Sequence, residues 1–160
     1  MLIGRYKFGD QQGWSASFAG LLAKTPGVAD LLKALDAGDW IVPMPLSAER
    51  LQTRGFNQAW ELTSALVRQI PTRAQTDASV LLRVKHMRPQ SQLGRQARRA
   101  NVQGAFQSDP LRAAELAGRR VVLVDDVMTS GASVFAAAQA LRDAGAAHVS
   151  AVVLARTAAA

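Results

Sequence analysis

Cysteine is absent from all 160 residues. That excludes disulfides, thiolate zinc sites, iron–sulfur clusters and a cysteine nucleophile, and it fits a reducing compartment, so a cytoplasmic location is expected. No apolar run approaches the ~20 residues that a membrane span needs. Residues 1–10 carry Arg5, Lys7 and Asp10 and lack the apolar segment of a secretory signal. Histidine occurs only at His86 and His148, neither with a second ligand at metal-binding spacing, so both read as incidental and no protein-held metal site is expected. Carboxylates are missing from the whole of residues 78–108, where Arg83, Lys85, Arg88, Arg95, Arg98 and Arg99 stand unopposed. Those six cations supply most of the net charge of +7, and the rest of the chain is near neutral, with 13 basic against 12 acidic residues. A balance concentrated in one window points to a local anion site or contact patch rather than to general polyanion affinity. Aromatics are scarce in that window too, with Phe106 alone, so stacking of single-stranded nucleic acid has little support there.

What is present suits one compact domain: 49% hydrophobic and 19% charged residues in a chain of this length. A single domain over 1–160 is expected, with a helical N-terminal part (1–38) placed to contribute a hood and a core over 39–160. Trp14, Phe18, Leu21 and Leu22 make a helical stripe, and Val28, Leu31, Leu32 and Leu35 a second one after Pro26. Trp40-Ile41-Val42 reads as a buried strand stopped by Pro43 and Pro45, which cannot donate to a ladder. Residues 47–54 are polar, and the stripe from Phe56 through Trp60, Leu62 and Leu66 to Ile70 predicts a helix ended by Pro71. Phe56 and Trp60 read as its core residues; Asn57 and Gln58 either meet a ligand or cap it. Residues 80–84 suit a strand, 95–102 a short helix and 109–117 another. Val121-Val122-Leu123-Val124 has the pattern of a central parallel strand, 132–144 of an alanine-rich helix ending at Gly145, and 149–154 of a last strand. Alternating strands and helices predict an α/β fold: a mostly parallel single-layer sheet with helices on both faces, a Rossmann-like three-layer sandwich.

The informative stretch is Asp125-Asp126-Val127-Met128-Thr129-Ser130-Gly131-Ala132-Ser133, directly after the apolar run. Open α/β sheets bind ligands at the carboxyl ends of their strands, and a helix N-terminus offers N–H groups and partial positive charge to phosphate. Gly131 permits close backbone approach, and the Thr129, Ser130 and Ser133 hydroxyls add neutral donors. Carboxylates repel phosphate but suit adjacent ribose hydroxyls, so acids beside a phosphate loop spell a phosphorylated ribose. A Walker-type loop is excluded, because no Lys follows Gly131.

This stretch resembles the phosphoribosyl-pyrophosphate (PRPP) signature of type I phosphoribosyltransferases. Three further stretches resemble the ComF/GntX branch of that family: Arg5-Tyr6-Lys7-Phe8-Gly9; Val42-Pro43-Met44-Pro45-Leu46 with Arg50 and Arg54-Gly55-Phe56-Asn57-Gln58; and Gln90, Leu93, Arg98, Asn101 and Phe106. The resemblance implies a type I phosphoribosyltransferase fold, with Asp125 and Asp126 on the ribose hydroxyls and residues 129–133 around the 5′-phosphate. Lys7, Pro43, Met44, Pro45, Arg50 and Arg54 would surround the pyrophosphate, and Arg98 and Arg99 would close over it. Mg²⁺ would be bound mainly through PRPP itself. Three departures stand out: the usual N-terminal four-cysteine zinc ribbon has no counterpart, Met87 stands where the family often has Thr, and Thr129 replaces the acidic base of purine-salvage members. The last argues against hypoxanthine or guanine salvage and leaves the acceptor base unknown.

Two functional readings follow. In the first the chain is an enzyme transferring phosphoribose with release of pyrophosphate. In the second the pocket senses PRPP or a nucleotide, while the basic window contacts single-stranded DNA or a DNA-uptake helicase. A homodimer is compatible with either.

Overall fold

The computed structural model describes residues 14–84 and 104–157. Strand β1 (Trp40–Pro43) is buried along its whole length, and β5 (Arg120–Met128) and β6 (His148–Arg156) lie beyond it. With the short β2 (Gln75–Thr76) they form a four-stranded sheet in the order β2-β1-β5-β6, every pairing parallel. The uninterrupted apolar run of β5 sits at the centre because both of its faces are covered.

Helices α1 (Trp14–Lys24), α2 (Val28–Lys33) and α4 (Gln58–Gln69) pack on one face, where Phe18, Leu22, Leu32, Leu62 and Leu66 meet Ile41, Val122 and Val124. On the other face, α6 (Ala132–Asp143) contributes Val134, Ala137 and Leu141 against Trp40, Val42, Val121 and Leu123. Each fully buried aliphatic side chain contributes about 1.5–3 kcal/mol, so two such clusters are what hold the sheet between its covers. The α/β sandwich expected from the sequence is the observed fold.

Several local expectations differ. β1 does end at Pro43, although that residue still pairs with Val124 and the Met44 amide just beyond it donates to the Val124 carbonyl at 2.8 Å. Residues 48–54, which carry no apolar stripe, form helix α3 (Ala48–Arg54), whose N-terminus is capped by the Ser47 hydroxyl accepting from the Arg50 amide. The following helix begins later than the stripe suggests, at Gln58, so Phe56 precedes it, and both Phe56 and Trp60 are half-buried rather than core. The 80–84 run forms β3 (Leu81–Arg83), but it pairs antiparallel with β4 (Phe106–Ser108) as a separate ribbon. Leu81 is buried and Leu82 exposed, the alternation of a strand covered on one side only. The 109–117 helix shrinks to α5 (Ala113–Leu116). The expected helix at 95–102 lies outside the described residues.

Candidate functional site

The apolar run of β5 does not stop where the acids begin. Asp125 pairs with Val153 of β6, and pairing continues through Val127 and Met128. On its other side β5 is partnered by β1 only as far as Val124. The strand therefore overshoots its neighbour, and the acids sit on the stretch left bare by the end of β1. A cleft of about 380 Å³ opens there.

Side chains alternate across a strand, so Asp125 shares the face of Val121 and Leu123, and Asp126 that of Val122 and Val124. Because β1 has ended, both still reach the cleft. The two acids thus lie within the strand and approach the cleft from opposite faces. Asp126 is 7% exposed, and its Oδ1 accepts from the Val127 amide at 2.8 Å, while the Asp125 Oδ1 accepts from the Asp126 amide at 2.9 Å. The chain's own backbone thus fixes one oxygen of each carboxylate.

After Met128 the chain turns through Thr129 and Ser130, both exposed, into Gly131, which stands at the N-cap of α6 with φ +79°. No side chain caps this helix from the N-cap position, which a glycine cannot do; instead the Ser130 hydroxyl accepts weakly from the Ala132 amide at 3.4 Å. The left-handed φ favours glycine at this position, and a Cβ there would lie 3.3 Å from the Phe135 ring and 3.4 Å from the Met128 sulfur. Residues 125–134 all line the cleft.

The opposite wall comes from Met44, Pro45 and Leu46 after β1 and from Arg50 and Arg54 of α3. Pro43, expected with them, is buried in β1. Asn57 both caps and lines the cleft. Its Oδ1 accepts from the Ala59 amide at 3.0 Å, and its Nδ2 donates to the Met44 carbonyl at 3.1 Å. It caps α4 and ties that helix to the wall of the cleft. Gln58, 2% exposed, lines the cleft as well. Lys7, Arg98 and Arg99 lie outside the described residues.

Arg83 of β3 completes the wall, and the sequence offered no reason to single it out from the other cations of its window. Its guanidinium lies 5.6 Å from the centroid of the Phe106 ring. Burial and the neighbouring Arg50 lower its pKa, and Asp125 works against both. An arginine nevertheless stays protonated. The cleft therefore joins three guanidinium groups, two carboxylates and a glycine loop at a helix N-terminus. That donor set accommodates one molecule bearing both phosphoryl groups and a diol.

No group of three or more His, Asp or Glu side chains suited to a metal occurs among the described residues. Two carboxylates at most could reach a cation in the cleft. That fits a Mg²⁺ whose remaining positions are filled by ligand oxygens and water, the usual habit of this ion. No helix among the described residues is long and apolar enough to cross a membrane.

Comparison with known proteins agrees with this geometry. Residues 68–160 match the phosphoribosyl transferase domain family. The chain is 35% identical over 158 residues to competence protein F of Haemophilus influenzae, covering 98% of this chain and 67% of that protein. It is 33% identical over 157 residues to DNA utilization protein YhgH of Escherichia coli, covering 98% of this chain and 66% of the relative. It thus spans about two thirds of the length of these relatives. Among solved structures, glutamine phosphoribosylpyrophosphate amidotransferase from B. subtilis superposes with a TM-score of 0.59 at 14% identity, over 95% of this chain and 30% of that one. A second structure, the allosteric regulatory enzyme of purine biosynthesis, gives a TM-score of 0.55 at 16% identity, again over 95% and 30%. At such identities the likeness speaks for the fold alone. Sequence match, sheet topology and the strand–loop–helix at Asp125–Ser133 converge: the chain belongs to the phosphoribosyl transferase domain family, in its ComF-like branch.

Proposed function

We propose that the cleft binds PRPP together with Mg²⁺ and supports transfer of the phosphoribosyl group to an acceptor with release of pyrophosphate. One observation carries this reading: the acids of β5, the Gly131 loop and the arginine wall face a single cavity. The Gly131 loop and the N-terminus of α6 hold the 5′-phosphate with backbone N–H groups. Asp125 and Asp126 accept from the ribose hydroxyls. Arg50 and Arg54 meet the diphosphate, Arg54 from a half-buried and Arg50 from an exposed position. Lys7, Arg98 and Arg99 join them in this proposal on the strength of their family motifs.

Departure of pyrophosphate from the anomeric carbon leaves positive charge on the sugar and concentrates negative charge on the leaving group. The protein's contribution is to orient the two ends of the molecule and to place cations where that negative charge grows. When bound, Mg²⁺ supplies further charge neutralisation to the diphosphate oxygens. Thr129, where salvage enzymes of the family carry an acid, holds no proton-accepting group at neutral pH. The acceptor in this reading is a nucleophile that needs no deprotonation by that position.

Calorimetric titration with PRPP, with and without Mg²⁺, tests binding, and pyrophosphate release in the presence of a panel of bases and amines tests turnover. Absence of PRPP binding by the folded protein overturns the proposal. Saturable binding without turnover of any acceptor reduces it to PRPP sensing. The relatives' names, competence protein and DNA utilization protein, support a role for this chain in the use of DNA.

A further inference from the structure

Arg83 is the cation of the cleft whose role no motif assigns. It projects from β3, on the antiparallel ribbon, and so stands apart from the β1–α3 wall that carries Arg50 and Arg54. Its Nε is buried and has no hydrogen-bond partner among the described residues. A buried donor left unsatisfied costs about 1–3 kcal/mol, more when charged. The face of Phe106 supports the guanidinium without accepting a conventional hydrogen bond from it. Arg50 stands near enough to repel it, and Asp125 near enough to attract it. An anionic group entering the cleft would relieve this arrangement.

We infer that Arg83 is a diphosphate-binding residue of the cleft, receiving phosphoryl oxygens between itself and Arg50. The inference rests on the PRPP reading and names a partner for its leaving group. A dianionic group placed there would satisfy the orphaned donor and turn the Arg83–Arg50 repulsion into two attractions to one ligand. Guanidinium groups favour phosphoryl oxygens through their paired N–H groups. The β3 position matters, because it lets the diphosphate be held from two separate elements: α3 on one side and the ribbon on the other. Arg83 is then a residue whose unfavourable surroundings in the empty cleft are matched by its ligand.

The experiment compares Arg83→Gln and Arg83→Lys with the parent chain in three titrations with Mg²⁺ present: inorganic pyrophosphate, PRPP and ribose 5-phosphate. Arg83→Gln is expected to weaken pyrophosphate and PRPP binding by about 10- to 100-fold, the range for one charge-assisted hydrogen-bonded contact, while ribose 5-phosphate affinity stays within twofold. Arg83→Lys, which keeps the charge and loses the fork, is expected to fall between. The melting temperature of ligand-free Arg83→Gln is expected to equal or exceed that of the parent, whereas a merely structural arginine would lower it. Unchanged pyrophosphate affinity in Arg83→Gln, or an equal loss for ribose 5-phosphate, overturns the assignment. A parent chain that binds PRPP but gives these results refutes Arg83 alone; a folded parent that binds neither PRPP nor pyrophosphate refutes the underlying reading and the assignment with it.

Discussion

The side-chain amide of Asn57 donates to the backbone carbonyl of Met44 at 3.1 Å, so the first turn of α4 and the chain leaving β1 are fixed to one another across thirteen residues. The same side chain closes the helix by accepting from the Ala59 amide. Replacing Asn57 by alanine removes both bonds and is expected to cost about 1–2 kcal/mol. Asn57→Asp keeps the cap and loses the donor to Met44, so it isolates the tether. Urea unfolding and PRPP titration of the two variants check this: Asn57→Asp should retain most of the stability and still bind PRPP more weakly than the parent. Equal affinity would mean that the tether does not shape the cleft.

Asp125 is half exposed and Asp126 nearly fully buried, so the two acids should respond differently to neutralisation. Asp125→Asn is expected to leave the fold intact and weaken PRPP about tenfold, one lost charge-assisted contact. Asp126→Asn retains an oxygen for the Val127 amide, and with it the local backbone geometry. Circular dichroism and calorimetry on both single variants separate loss of binding from loss of structure. Unchanged PRPP affinity in a folded Asp125→Asn chain would remove Asp125 from the site.

Gly131 gives a third test. Valine there meets the Phe135 ring and the Met128 sulfur as well as an unfavourable left-handed backbone. The backbone penalty alone is about 1–2 kcal/mol. Gly131→Val is therefore expected to lower stability and to abolish binding of inorganic phosphate. Gly131→Ala, with less to displace, should lose phosphate affinity before it loses the fold. Thermal melts and phosphate titrations read the two effects separately.

Acid sensitivity should trace to the far end of the sheet. Burial alone would raise the Asp39 pKa, but the amides of Asp36 and Arg120 and the Arg120 guanidinium donate to its carboxylate and together hold it below the ordinary value. A carboxylate depressed in the folded state stabilises the protein above its unfolded pKa of about 4, and that contribution disappears as the pH falls through the folded value. Asp39→Asn is expected to cost about 1–3 kcal/mol at pH 7 and to shrink the stability difference between pH 7 and pH 3. Urea midpoints at the two pH values decide it; an unchanged pH difference would assign the acid limb elsewhere, with Asp77 beside Ser79 and Arg112 the next carboxylate of this kind.

Residues that repeat a pattern were readable from the sequence. The apolar run of β5, the loop after it and the small-residue helix closed by Gly145 announce strand, phosphate loop and helix in order, because each is a local regularity. Helix α3 escaped notice because none of its residues is buried, so no stripe marks it; only the Ser47 cap does. The β3–β4 ribbon could not be read because Arg83 pairs with Phe106, and a register across that distance leaves no trace in either run alone. Arg83 was hidden for the same reason: in the sequence it is one of six cations in its window, and nothing local marks the ring that it meets. The alternation that separates Asp125 from Asp126 required knowing that the strand continues past Val124, which the appearance of charge seemed to deny.

That continuation has a dynamic consequence. Asp125, Val127 and Met128 pair with β6 as part of the longest pairing in the sheet, so the backbone that carries the acids cannot swing away without breaking the ladder that also holds the core. Local opening of the site is thereby coupled to unfolding of the sheet, and the ladder amides at this end of β5 should exchange only as the sheet itself opens. Variation in what the cleft accepts must then arise from its other walls, the turn after β1, helix α3 and the ribbon, since these can be altered without disturbing the strand on which the carboxylates ride.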